Sequence, residues 1–523
     1  MAKYTHDVII LGGGTGGLTA AAGCAQLGLK TALVEKERLG GDCLYFGCVP
    51  SKSLIKSAGV YQAARTAERF GLPAIAPPSV DLQRVMARVQ GVIDTIAVHD
   101  SPERFRKLGA EVYFGAPEFR SPHEVRLGDG THLSARSIIL ATGSSPKFIP
   151  IPGLREAGYL TNVDIFRLEK LPPRLITIGA GPIGLELSQA FLRLGSQVTV
   201  IDVAPQVLPI EDEDLAALVQ RKLESEGARF FLGASIEGVF SSGGGASRRG
   251  GPGKSGRGAA GRGGSADGPT VPVTGGAAAG AAGGSVKRLV LKDREGREHS
   301  LEAEAILLAV GRQGDTEGLN LEAAGVELER GFVKADSRLA TSQKHILAVG
   351  DCNGRLLFTH VAGAEGSVAV RRAAFRLPAR MSYDHVPWVT YTDPEIASVG
   401  LNEKRAREAG REVSVVAADF HGNDRAQAEG EPGGKIKILL DRKGRIVGTQ
   451  IAGLHAGDLL APAIHAVRRG VTMGEFLSPI YPYPTLAEIY RKAAGNYFAP
   501  RVFNPRVRGL LRFLFGYRGV GPA

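Results

Sequence analysis

Two stretches of this sequence repeat one local pattern, and together they restrict the fold more than any other feature. Val8-Ile9-Ile10-Leu11 is a short continuous apolar run of the kind a buried parallel strand carries. Gly12-Gly13-Gly14-Thr15-Gly16-Gly17 follows at once, then a helical stretch over 18–27, then Thr31-Ala32-Leu33-Val34 ending in Glu35. The order recurs in Leu175-Ile176-Thr177-Ile178, Gly179-Ala180-Gly181-Pro182-Ile183-Gly184, and Gln197-Val198-Thr199-Val200-Ile201 ending in Asp202. In each unit the glycines (Gly12, Gly14, Gly17; Gly179, Gly181, Gly184) permit a tight turn and close approach of a pyrophosphate to a helix N-terminus. The closing acid accepts from a ribose hydroxyl. Two such units predict an α/β protein with two Rossmann-like dinucleotide-binding domains and two bound dinucleotides. A 2′-phosphate would want arginines beside Asp202, and Val203-Ala204-Pro205-Gln206 supplies none, so the second unit favours NADH over NADPH.

At 523 residues the chain exceeds a single core. Helical patterns over 51–70 and 81–107 follow the first unit, then strands near 111–114 and 124–127 and a buried run ending Ala141-Thr142-Gly143. Strand-like runs are expected over 229–239 and 286–292, another over 305–310 ending at Gly311, and another over 345–350 ending in Asp351. From about 383 the pattern turns to strands of an antiparallel kind and helices over 457–469 and 486–496, an α+β domain.

Four cysteines are far too few for a secreted disulfide scaffold and suit a reducing compartment with one reactive pair. Cys43 and Cys48 stand five positions apart in Gly40-Gly41-Asp42-Cys43-Leu44-Tyr45-Phe46-Gly47-Cys48-Val49-Pro50-Ser51-Lys52, close enough to cycle between disulfide and dithiol. A thiol near its free pKa of about 8.5 needs a helix N-terminus, a cation or an electron-poor ring to ionise near neutrality. Cys24 and Cys352 read as core residues.

These residues resemble the flavin-dependent pyridine nucleotide–disulfide oxidoreductases, the group of dihydrolipoamide dehydrogenase, glutathione reductase and mercuric reductase. The G-G-x-C-x-x-x-x-G-C-V-P-S-K motif, Ala141-Thr142-Gly143, the second glycine motif, Gly350-Asp351 and Thr392-Asp393-Pro394-Glu395 occur in the family's order over residues 5 to about 498. The resemblance implies FAD held by Gly12, Gly14, Gly17, Glu35, Lys52, Thr142, Gly143 and Asp351, with NAD(P)H held by Gly179, Gly181, Gly184, Asp202 and Gly311. It implies that Cys48 faces the flavin as a charge-transfer thiolate, Cys43 is the interchange thiol, and Lys52 pairs with Glu186. The domains it implies are an FAD-binding domain over 1–150 and 314–382, an NAD(P)-binding domain over 151–313, and a dimerisation domain over 383–500 that makes a homodimer.

One departure bears on the acceptor. Dithiol-handling members carry a histidine ahead of Pro-Thr and a glutamate, contributed across the dimer as a base. Here the segment is Tyr483-Pro484-Thr485-Leu486-Ala487-Glu488. A tyrosine near pKa 10 is a poor proton shuttle at neutral pH. Mercuric reductases are similar in having tyrosine there, which points to a metal ion such as Hg(II) as acceptor, with no resident metal site. They end in a further cysteine pair, and this sequence has no cysteine after Cys352. The alternatives are dihydrolipoamide dehydrogenase-type activity, reduction of another disulfide or a quinone, and a packing role for Tyr483.

Of the net charge of +11, residues 241–285 carry +4 and 501–523 carry five arginines and no acid, so the body is near neutral. Residues 241–285 are rich in glycine, alanine and serine and are expected to be a disordered insertion in a hairpin loop; nucleic-acid binding is the weaker reading. Over 504–518 a basic amphipathic stretch suits either an anionic membrane surface or docking on the dimer. A reading outside catalysis is a redox partner that works through these basic appendages. The direct run from Met1 into the first strand leaves no room for a signal peptide, and a cytoplasmic, possibly membrane-peripheral, setting is expected.

Overall fold

The computed structural model describes residues 4–241 and 286–519. Both glycine-marked units form parallel sheets with the same order of strands. In the first, Ala110–Phe114, Thr31–Glu35, His6–Leu11, His132–Leu140 and Ile346–Ala348 lie side by side. In the second the order is Arg229–Leu232, Gln197–Asp202, Arg174–Ile178 and Ala305–Leu308. The two first strands are buried almost throughout, as their unbroken apolar runs require. Strand Ile346–Ala348 returns the chain to the first sheet after the second has been built, and helix Thr359–Ala373 then packs on helix Thr15–Gln26.

The run expected as one strand over 229–239 is two strands. Gly233 takes φ +67, so Arg229–Leu232 ends in the parallel sheet and Ser235–Ser241 starts an antiparallel one. Ser241 pairs with Lys287, which makes the segment between them the connection of a hairpin. Of the disordered insertion expected over 241–285, Ser241 ends strand Ser235–Ser241 and the rest, 242–285, lies outside the described residues, as do residues 520–523.

The third unit is a five-stranded antiparallel sheet, Pro387–Thr390, Glu395–Gly400, Ile446–Gly453, Lys435–Leu440 and Ser414–Asp419. Helices Ala461–Arg469 and Glu488–Val502 cover one side, burying Ala466, Val467, Ile489 and Tyr490 against the sheet. Buried ion pairs join this unit to the second sheet's helices. Arg193 binds Glu226 and Asp393, both at 2.6 Å, and Lys437 reaches Asp212 at 2.6 Å. Beyond it, helix Pro505–Phe515 buries none of its residues. Among the described residues no helix is long and apolar enough to cross a membrane.

Candidate functional site

Each glycine of the first motif has its own physical reason. Gly12 takes φ +112, and a Cβ there would stand 2.2 Å from the Ala141 carbonyl oxygen. A Cβ on Gly17 would stand 1.9 Å from the Gly12 oxygen, whereas at Gly14 the nearest atom is 3.9 Å away. The first and third glycines therefore close the turn, and the second leaves room for a ligand beside the helix N-terminus. The second motif repeats the division: Gly179 and Gly184 are hemmed in by backbone oxygens at 2.3 and 2.0 Å, and nothing lies within 4 Å of Gly181. The closing acids brace these turns. Glu35 accepts from the Gly13 N–H (2.7 Å), and Asp202 accepts from the Ala180 (2.6 Å) and Ala204 (2.8 Å) N–H groups.

The reactive loop is clamped onto the first turn. The Gly40 N–H donates to the Gly13 carbonyl (2.8 Å), and a Cβ on Gly41 would stand 2.7 Å from Gly14 Cα. The helix expected from residue 51 begins at Cys48, with Gly47 as its cap and Pro50 in its first turn, where a missing N–H costs nothing. Cys48 thus sits at a helix N-terminus, whose partial positive charge favours a thiolate. Both thiols are free in this structure.

The electrostatics of the pair are lopsided. A hydrogen bond from Cys43 is the largest influence on Cys48 and lowers it; burial opposes this. The Thr359 hydroxyl at 3.5 Å and the Lys52 charge lower it further, to about 6. Cys43 is pushed well up, first by that same bond and then by burial. The pair therefore shares one proton, held on Cys43. One turn along from Cys48, Lys52 Nζ donates to Glu186 Oε2 at 2.7 Å and lies 4.3 Å over the Tyr391 ring. Glu186 is buried on helix Pro182–Leu194, and its other oxygen accepts from the Tyr391 N–H (2.9 Å).

A cavity of about 440 Å³ brings together Gly14, Cys43, Cys48, Lys52, Gly143, Glu186 and Asp351. A second, of about 650 Å³, brings together Gly179, Gly181, Asp202 and Gly311 behind an apolar wall that includes Ile149 and Ile236. Pro182 and Ile183 line both, so the two cavities adjoin. Open space at the second glycines and a helix N-terminus behind each fit two dinucleotides; Asp202 lines the second cavity, whereas Glu35, which accepts from the Gly13 and Glu37 N–H groups, does not line the first.

Thr142 is placed otherwise than expected, and Tyr483 and Glu488, expected to act across a dimer, stand apart from Cys43 of their own chain. The Thr142 hydroxyl donates to the Asp315 carbonyl (2.7 Å) and is not directed into the cavity. Tyr483 is 71 % exposed, outside both cavities, and its hydroxyl donates to Asp424 (2.9 Å). Glu488 starts helix Glu488–Val502 and accepts from the Thr485 N–H (3.2 Å). Neither Tyr483 nor Glu488 reaches Cys43 within one chain, because both belong to the sheet-and-helix unit whose outer face carries them.

Three further side chains belong to the site and no local motif marks them. Thr359 meets Cys48 from 311 positions away. Arg312 donates to the Ser144 hydroxyl (2.7 Å) and pairs with Asp42 (3.2 Å) beside Cys43. Ser144 in turn donates to Asp351 (2.6 Å), a carboxyl that burial pushes above its usual range. Among the described residues no group of three or more His, Cys, Asp or Glu side chains is arranged to hold a metal ion.

Residues 6–254 and 272–366 match the family model described as pyridine nucleotide-disulphide oxidoreductase, and 386–494 match that family's dimerisation domain. The dihydrolipoyl dehydrogenase of Bacillus subtilis is 34 % identical over 502 residues, covering 94 % of this chain and 97 % of its own. That of Thermus scotoductus is 36 % identical over 495 residues, with the same coverages. Among solved structures, the Cu(II) complex of the HOCl-induced flavoprotein disulfide reductase RclA from Escherichia coli superposes with a TM-score of 0.76. It is 24 % identical and covers 95 % of this chain and 99 % of its own. The two dehydrogenases support the disulfide alternative, the solved structure supports the fold, and none of them supports the expected mercuric reductase likeness.

Proposed function

Because the chain belongs to the pyridine nucleotide–disulphide oxidoreductase family, whose cofactors are FAD and NAD(P)H, we propose that it carries electrons from NADH to the Cys43–Cys48 pair and on to a small disulfide of the lipoyl kind. The observation that carries this reading is the polarised thiol pair at the head of helix Cys48–Arg65, beside Lys52–Glu186 and next to the second cavity. FAD, when bound, supplies the relay of an electron pair between nicotinamide and sulfur. The residues prepare its two ends. Asp202, with no arginine beside it, accepts from the ribose hydroxyls of NADH. Lys52 and the helix N-terminus hold Cys48 as thiolate after the Cys43–Cys48 bond takes up the electron pair, and Cys43 keeps the proton. Cys43 then loses that proton and attacks the acceptor disulfide; one acceptor sulfur leaves as a thiol, and Cys48 resolves the mixed disulfide. The protein works as a homodimer in which Tyr483 and Glu488 of one subunit face Cys43 of the other, as its dimerisation domain supports.

Tyr483 favours a second reading. Its hydrogen bond to Asp424 raises its pKa further, so at neutral pH it takes no proton from Cys43. An acceptor that needs no proton relay, such as a soft metal ion bound by both sulfurs, suits that face. Anaerobic NADH oxidation by the FAD-loaded protein with lipoamide, glutathione disulfide, a quinone, Hg(II) and Cu(II) separates the readings. Lipoamide turnover that climbs with pH supports the first. Metal reduction that is flat with pH, with no lipoamide turnover at any pH, replaces it with the second. NADH that leaves the flavin oxidised overturns both.

A further inference from the structure

Helix Pro505–Phe515 lies beyond residues 386–494, the part that matches the family's dimerisation domain, and the active-site reading does not use it. It is a properly finished helix. The Asn504 side chain accepts from the Val507 N–H (3.0 Å) at its start, and Gly516 ends it at φ +64. A helix of this length draws little stability from propensity alone and ordinarily hides one face. Here Leu510, Leu511, Leu514 and Phe515 share a face with Val507 at spacings of three, four, seven and eight, and the four are exposed, as is Phe513 at 84 %.

The charge around that face is of one sign. Arg506, Arg508 and Arg512 flank it on the helix, Arg501 and Arg518 stand before and after, and 501–519 holds no acid. Two copies of this face set against each other would bring arginine against arginine, and like charges opposed across an interface are unfavourable. An apolar stripe of leucine and phenylalanine edged only by arginine, with Tyr517 beside it, instead matches the headgroup boundary of an anionic bilayer. There the apolar side enters the acyl region and the guanidinium groups meet lipid phosphates. We propose that helix Pro505–Phe515 is a peripheral docking element for anionic phospholipid membranes, lying in the plane of the interface and holding the reductase at the surface.

Sedimentation of the FAD-loaded full chain with phosphatidylcholine vesicles, with and without phosphatidylglycerol, tests this. Pelleting is expected only with the anionic vesicles and should weaken as salt rises. Arg506→Glu/Arg508→Glu/Arg512→Glu and Leu510→Ser/Leu514→Ser should each reduce partitioning at least tenfold, with NADH-driven flavin reduction unchanged. Failure of the wild type to pellet with anionic vesicles, or equal pelleting of wild type and both variants, overturns the proposal. So does a loss of dimer in Leu510→Ser/Leu514→Ser by light scattering without any vesicle binding by the wild type, which would assign the face to a second copy of the chain. Flavin reduction is read separately, so failure here leaves the active-site reading standing.

Discussion

Replacing Cys43 tests the origin of the Cys48 thiolate directly. At a pKa of about 6, roughly nine-tenths of Cys48 is ionised at pH 7, against about three parts in a hundred at the ordinary thiol value of about 8.5. The largest lowering influence is the hydrogen bond from Cys43. A hydrogen bond to a charged group contributes about 1.5–3 kcal/mol, and one pKa unit corresponds to about 1.36 kcal/mol. Cys43→Ala, which has no donor, should therefore raise Cys48 by about one to two units. Its thiolate share at pH 7 would then fall to between about one-half and one-tenth. Cys43→Ser keeps a donor and should hold the midpoint near 6. Both variants lack the partner for a disulfide, and Cys24 and Cys352 are buried with thiols pushed up to about 12, so Cys48 titrates alone below pH 9. The assay is the long-wavelength thiolate–flavin absorbance of the FAD-loaded variants from pH 5 to 9, with alkylation rates as a second readout. Coincident midpoints in the two variants would refute the hydrogen-bond argument. No band at any pH would refute the placement of Cys48 beside the flavin.

Other expectations follow from the same geometry. Tyr483→His should raise lipoamide turnover at pH 7 by at least tenfold and flatten its rise with pH, measured as steady-state NADH oxidation; an unchanged pH profile would remove Tyr483 from the acceptor side. Glu186→Gln weakens the hold on Lys52 and should slow flavin reduction by NADH in stopped-flow while leaving the overall fold intact by circular dichroism. Asp202→Arg should shift the KM ratio towards NADPH at least tenfold; a ratio that stays put would locate ribose recognition elsewhere. Arg193→Ala leaves the Glu226 carboxylate, 6 % exposed, to Lys222 (3.5 Å) and Gln189 (3.5 Å), and should destabilise the junction of the second and third units by less than the ~3–5 kcal/mol of a fully stranded buried charge, in urea unfolding followed near that junction.

What the sequence made legible is what the backbone decides locally. A glycine at Gly12 or Gly41 is there because a Cβ would strike backbone within a few ångströms, and that requirement is written in the residue itself. The Cys43–Cys48 spacing, Lys52 one turn along and the closing acids Glu35 and Asp202 are short-range relations of the same sort. The partner Glu186, 134 positions from Lys52, was reached only through resemblance to a family. Thr359 and Arg312 were not reached at all: a threonine at the head of one helix and an arginine after a buried strand are ordinary until the fold sets them against Cys48 and Asp42. The strand break at Gly233 was missed for the opposite reason. The apolar pattern continues through it, and only the positive φ turns the chain from one sheet to the next.

The two ends of the proposed electron path are constrained differently. On the input side, each requirement is met inside one chain. The dinucleotide turns, the clamp of Gly41 on Gly14 and the Lys52–Glu186 bridge couple the first sheet's loop to the second sheet's helix. Disturbing any one of them disturbs the pairing of the two cavities. On the acceptor side the chain supplies Cys43 with a proton it holds tightly, and its own Tyr483 and Glu488 lie elsewhere. Removal of that proton therefore falls to a second subunit, to solvent hydroxide or to an acceptor that needs none. The first two routes predict turnover that climbs with pH, told apart by whether Tyr483→His flattens the climb, and the third predicts no dependence at all. The shape of the pH profile thus reads out the chemistry of the acceptor face before the acceptor itself is known.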